Sequence, residues 1–186
     1  MVLGWCSIQH PSHIMLTLNG TGYYTIEECG DMPNPTIGME VGTTYTFVQN
    51  DVSNFYHPLG FAYYPDGAHA DVDELEPGIS AGSSGCDTDH TCPAPMYFVG
   101  GSYAGVYSNI PEVTPVTTGE EDFGLDAYEP VFFYPIADWA STGPYSIQLK
   151  FDDETFDKDI FYFCHVSSLH FQLFCSVVHD TDTRLV

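Results

Sequence analysis

Across residues 145–151 the chain alternates strictly: Tyr145, Ile147, Leu149 and Phe151 are apolar or aromatic, and Ser146, Gln148 and Lys150 are polar. Side chains two positions apart on a strand share a face, so this run fits a half-buried sheet and not a helix. Shorter runs of the same kind recur between turn signals. Residues 14–18 and 22–26 flank Asn19-Gly20, a hairpin dipeptide. Ile37, Met39 and Val41 alternate up to Gly42, which breaks the strand, and residues 45–48 start another. Residues 96–99, 160–164 and 173–178 are further strand candidates, and 136–139 reads as a helical turn. Thirteen Pro and 17 Gly disfavour long helices. Tyr and Phe, 13 of each, suit pleated, half-buried surfaces. The expectation is an all-β chain of the sandwich type, a single domain over residues 1–186 without internal repeats and large enough for a real core.

Charge narrows the partners. Three Lys and Arg stand against 26 Asp and Glu, a formal net charge of −23. Such a chain is repelled by nucleic acids and by anionic membrane surfaces. It suits solubility outside the cell, a basic protein partner, or a role in self-assembly. No segment approaches the roughly 18 apolar residues of a membrane-spanning helix, so no membrane insertion is expected. Residues 1–6 lack the basic start and apolar run of a signal peptide. A secreted protein with this sequence would then be a mature form or a fragment of a longer chain.

Six cysteines, an even number, and one sequon at Asn19-Gly20-Thr21 fit a secreted, glycosylated chain. Cys86 and Cys92 bracket a five-residue polar loop, and a local disulfide is the simplest reading. It would pin the long irregular region 65–95. A metal site using His90 beside them is the lesser alternative. Asp71, Asp73, Glu74 and Glu76 form an acidic cluster beside His69. Its spacing matches no calcium loop of the EF-hand type, and a solvated loop is the better reading. The chain carries no Gly-x-Ser-x-Gly, phosphate-binding glycine loop or His-Glu-x-x-His. No catalytic residue is assigned, and the sequence points away from an enzyme.

The chemistry concentrates near the C-terminus. Residues 161–170 read Phe-Tyr-Phe-Cys-His-Val-Ser-Ser-Leu-His, an aromatic strand delivering Cys164, His165 and His170. Thiolate and imidazole together select a soft-to-borderline metal such as copper. A second element, Asn54-Phe55-Tyr56-His57-Pro58-Leu59-Gly60, lies about a hundred residues upstream.

Three pieces resemble the cupredoxins, the β-sandwich of blue copper proteins. They are the strand–Gly–strand run of residues 36–47, His57-Pro58 shortly after it, and Tyr162-Phe163-Cys164. Residues 57–68 are also similar to secreted cupredoxin-like domains of marine and algal proteins, which carry no known activity. The resemblance implies a Greek-key β-sandwich, with residues 65–140 as a long irregular insertion between the first histidine and the cysteine strand. It implies a mononuclear copper site for electron transfer or copper handling, with His57 as the upstream imidazole and Cys164 as the thiolate. The second imidazole is His170, or His165 as the fallback, because neighbours on a strand face opposite sides. The chain departs from the family at two points: Ser167 stands where a ligand histidine is expected, and no methionine follows Cys164. Three outcomes stay open. They are a copper site without an axial methionine, a zinc or copper site with an added oxygen ligand, and a metal-free fold retained for assembly or adhesion. A trinuclear oxidase site would need His-x-His pairs, which the chain lacks.

Structural alternatives accompany the site. Cys164 and Cys175 could form a disulfide, which would abolish a thiolate. If Cys164 is a ligand instead, Cys6–Cys29 is the natural second bridge and Cys175 is left free. His57 could simply sit in a turn before Pro58.

Overall fold

The computed structural model describes residues 5–40, 42–62, 95–104, 125, 128–150, 160–164 and 175–179, with backbone alone for Trp5, Tyr103 and 175–179. The fold is all-β, with strands in two mixed sheets and one α-helix among the described residues. In chain order the strands are β1 (Trp5–Ser7), β2 (Ile14–Leu18), β3 (Tyr24–Ile26), β4 (Thr36–Met39), β5 (Thr44–Val48), β6 (Leu59–Ala62), β7 (Met96–Val99), β8 (Ser102–Tyr103), β9 (Tyr145–Lys150), β10 (Ile160–Cys164) and β11 (Cys175–His179). The helix α1 spans Ile136–Thr142.

One sheet has the order β1-β4-β11-β10-β6, the other β3-β2-β5-β9-β7-β8. The expected hairpin forms, with β2 antiparallel to β3 and Leu18 opposite Tyr24. The alternating run becomes β9, whose Tyr145, Ile147 and Leu149 are buried while Lys150 is exposed. It sits between β5 and β7, antiparallel to both. Gly42, at φ 81°, lies in the left-handed region that glycine adopts freely. The chain there leaves β4 in one sheet and enters β5 in the other.

Aromatic rings join the layers. Phe47 of β5 meets Phe61 of β6 at 5.4 Å between centroids, and Tyr24 of β3 meets Tyr162 of β10 at 6.1 Å. Side chains from both sheets form one buried cluster. Such burial is worth about 25 cal/mol per Å² of apolar surface and is the main force holding the sheets together.

One expectation needs correction, and one alternative falls away. The stretch 65–140 is not merely an insertion carried on the fold. Within it, β7 pairs directly with β9, and Tyr128, Phe132 and Trp139 are buried in the shared core. Cys164 is a free, buried thiol rather than half of a bridge, and in the β10–β11 ladder Cys175 stands opposite Tyr162. Cys6 and Cys29 form a disulfide with Cα atoms 5.6 Å apart. Cys86 and Cys92, the acidic cluster around Asp71, and His165 and His170 lie outside the described residues. No helix among the described residues is long and apolar enough to cross a membrane.

Candidate functional site

Two distant segments meet at the end of β10. His57 precedes β6 and Cys164 closes β10, and the antiparallel pairing of these strands sets Cys164 opposite Leu59. This register brings His57 Nδ1 to 3.2 Å from Cys164 Sγ across 107 positions of sequence. Of the four metal-ligand candidates, His57 and Cys164 are therefore adjacent. Among the described residues no third His, Cys, Asp or Glu joins them in a group that could hold a metal.

The approach to His57 is built by a short turn. Asp51 accepts a hydrogen bond from Ser53 N at 2.9 Å and starts a single 3-10 turn, Val52–Asn54. His57 N then donates to Asn54 O at 2.8 Å. The residues between are Phe55, at φ −57° and ψ 131°, and Tyr56, at φ 68°. These angles match a type II β-turn, whose third position ordinarily takes glycine. Tyr56 occupies it, with its ring 4.2 Å from Phe55 and 5.8 Å from Phe133. Pro58 follows and restricts His57 to extended backbone.

A buried polar network surrounds the turn. Gln49 is fully buried and uses its whole side chain. Its Nε2 donates to Asn54 Oδ1 at 3.1 Å and to His57 O at 2.8 Å. Its Oε1 accepts from Leu59 N at 3.0 Å and Tyr128 Oη at 3.1 Å. A glutamine amide has two donors and two acceptor sites, and all four are engaged. Asn54, also fully buried, donates to Leu16 O at 2.8 Å. Tyr24 Oη donates to His57 O at 2.8 Å and is close enough to influence the Cys164 thiol electrostatically.

Electrostatics favour neutral groups in the metal-free site. Burial pushes the Cys164 thiol up to about 12; the Tyr24 hydroxyl opposes this, and the negative Glu129 adds to it. Burial lowers the pKa of His57. Desolvation disfavours the charged form of each, so a thiol and a neutral imidazole share the hydrogen bond.

Sequence reasoning passed over Gln49, Asn54, Tyr24 and Tyr128. One signal was present. The period of β5 sets Gln49 on the same face as Tyr45 and Phe47, both buried, and an inward polar side chain must find partners. Asn19, the sequon residue, lies at the tip of the β2–β3 hairpin. Its Oδ1 accepts from Thr21 N and Tyr23 N, each at 3.0 Å, and from Thr21 Oγ1 at 2.8 Å.

The fold and site define a class: an all-β protein in which a buried thiol and a half-buried imidazole join two distant segments. The chain matches no protein-family model, and comparison with curated proteins and with solved structures finds no significant relative.

Proposed function

We propose that the chain is a secreted cupredoxin-like β-sandwich protein that binds a single copper ion for electron transfer or copper handling. The observation carrying this reading is the 3.2 Å approach of His57 Nδ1 to Cys164 Sγ. Imidazole nitrogen and thiolate sulfur are the donors copper selects. Bond lengths of about 2.0 Å to nitrogen and about 2.3 Å to sulfur hold two such donors roughly 3.5 Å apart, so the pair needs to open by only a few tenths of an ångström. His57 would supply one ligand and Cys164 the thiolate, with His170 or His165 as the second imidazole. Bound copper would contribute one-electron redox chemistry. The chain contributes a preset donor pair, a buried aromatic neighbour in Tyr162 on the same strand face as Cys164, and the release of the thiol proton on binding.

Titration with Cu(II) tests the reading. A thiolate-to-copper charge-transfer band in the visible, absent in Cys164→Ser and weakened in His57→Ala, is expected. A colourless protein whose copper uptake is unchanged in Cys164→Ser sinks it.

A second reading has its own support. The buried thiol is comfortable as a neutral donor to His57, and among the described residues four of the five exposed large hydrophobic side chains, Val52, Tyr56, Tyr134 and Ile136, lie on two segments that pack together. On this reading the domain is a metal-free interaction or structural module of an extracellular assembly. Stoichiometric copper in the purified protein would count against it.

A further inference from the structure

The geometry points to Gln49 and Tyr24 as positioning residues of the His57–Cys164 centre, acting as a two-donor clamp on the His57 carbonyl that holds the imidazole against the sulfur. The inference deepens the copper reading and rests on it for its functional meaning. The clamp itself exists without metal.

Gln49 Nε2 and Tyr24 Oη reach the same carbonyl oxygen, each at 2.8 Å. Both side chains are fully buried, so neither has water as an alternative partner. Gln49 is fixed in turn by its three other hydrogen bonds and by its backbone N–H, which donates to Tyr145 O at 3.0 Å. Tyr24 is fixed by its place on β3 and its ring contact with Tyr162. Both clamp residues belong to the six-stranded sheet or its immediate continuation, whereas Cys164 ends a strand of the five-stranded sheet. The β6–β10 register brings His57 and the sulfur together within one sheet, and the clamp ties His57 to the other sheet as well.

The turn at Tyr56 gives the clamp something to hold. A non-glycine residue at φ 68° is disfavoured, and such backbone persists only where its surroundings over-determine it. Two donors on the next carbonyl, together with Pro58, do so. Neighbours that orient ligands in this way typically change metal affinity about 10- to 100-fold when mutated.

Tyr24→Phe removes one donor and keeps the ring; Gln49→Met removes the other and keeps the volume. In the metal-free protein, the nuclear Overhauser contact between the His57 ring and the Cys164 β-protons is expected to weaken or vanish in each variant. With Cu(II) alone as the probe, affinity is expected to fall about tenfold or more and the charge-transfer band to shift. A lowered unfolding midpoint with the contact and the copper spectrum at parental values would show a merely structural role and overturn the inference. If the parent takes up no Cu(II), the copper reading fails, and the metal-free contact alone decides the clamp. If Gln49→Met does not fold, Tyr24→Phe decides it.

Discussion

Gly60, in the middle of β6, sets how closely the site strand approaches its neighbours. A Cβ there would stand 2.7 Å from Leu125 Cδ2 and 2.7 Å from Phe163 Cζ. Both neighbours are almost fully buried and have no room to retreat. Gly60→Ala should therefore destabilise the fold by about 1–3 kcal/mol, the usual cost of overpacking, read from the urea midpoint. Unchanged stability would mean that β6 and β10 pack more loosely than the geometry indicates. Titration is a second residue-scale property. Cys164, Tyr24 and Tyr128 all have pKa values raised by burial in the folded chain. A raised folded pKa means that the unfolded state releases its proton first, so stability is lost as pH rises. For Cys164 the loss should run from about 9, the ordinary thiol value, to about 12. His57 acts at the other end: its folded pKa is lowered, so stability should fall as pH drops below the ordinary histidine value of about 6.5. Urea midpoints of the metal-free protein against pH check both limbs, and Cys164→Ala should flatten the alkaline one. At this scale the sequence singled out His57 and Cys164 through a family likeness, but not the residues that hold them. Gln49 and Asn54 matter through partners 5 to 79 positions away, and single-residue chemistry does not reveal such pairings.

Between residue and molecule, the elements show why some strands could be read and others not. β9 announced itself because its sheet buries one face, leaving Ser146, Gln148 and Lys150 to alternate with the core. β6 did not, because Leu59, Gly60, Phe61 and Ala62 are all buried. A strand covered on both faces loses the alternation that marks it. β1 and β8 are two or three residues long, too short for any period to show. Sheet order was illegible for another reason: β4 and β5 are separated by a single turn yet belong to different sheets, which local sequence does not encode. The Cys6–Cys29 disulfide acts at this same level, because it ties β1 of one sheet to the 3-10 turn that follows β3 of the other. Its partners are 23 positions apart, and closing a loop of that size removes about 3 kcal/mol of unfolded-state freedom. The double variant Cys6→Ala/Cys29→Ala should lose stability by about that amount in equilibrium urea unfolding. A loss below about 1 kcal/mol would show that the β1–β4 pairing and the shared core already hold the layers together.

For the molecule as a whole, charge opposes what packing achieves. Twenty-six acidic side chains face three basic ones in 186 residues, so few surface carboxylates can find a cation within the chain. One ion pair among the described residues uses a histidine, His10 Nδ1 to Glu28 at 3.0 Å. Folding draws the negative charges closer together than in the extended chain, and that self-repulsion destabilises the compact state. The range of the repulsion is set by salt: the screening length is about 30 Å at 0.01 M and about 8 Å at 0.15 M. The first is comparable to the width of a small domain; the second is shorter than the spacing of two packed sheets, about 10 Å. Raising sodium chloride across this range should therefore raise the urea midpoint of the metal-free protein steadily and then level off once screening is complete. A basic polypeptide such as polylysine should produce the same stabilisation at far lower concentration by binding the folded surface, and the added salt should abolish that effect. A midpoint insensitive to salt would mean that the acidic side chains lie too far apart to repel, and the case for a basic partner, which rests on that density of charge, would fall with it.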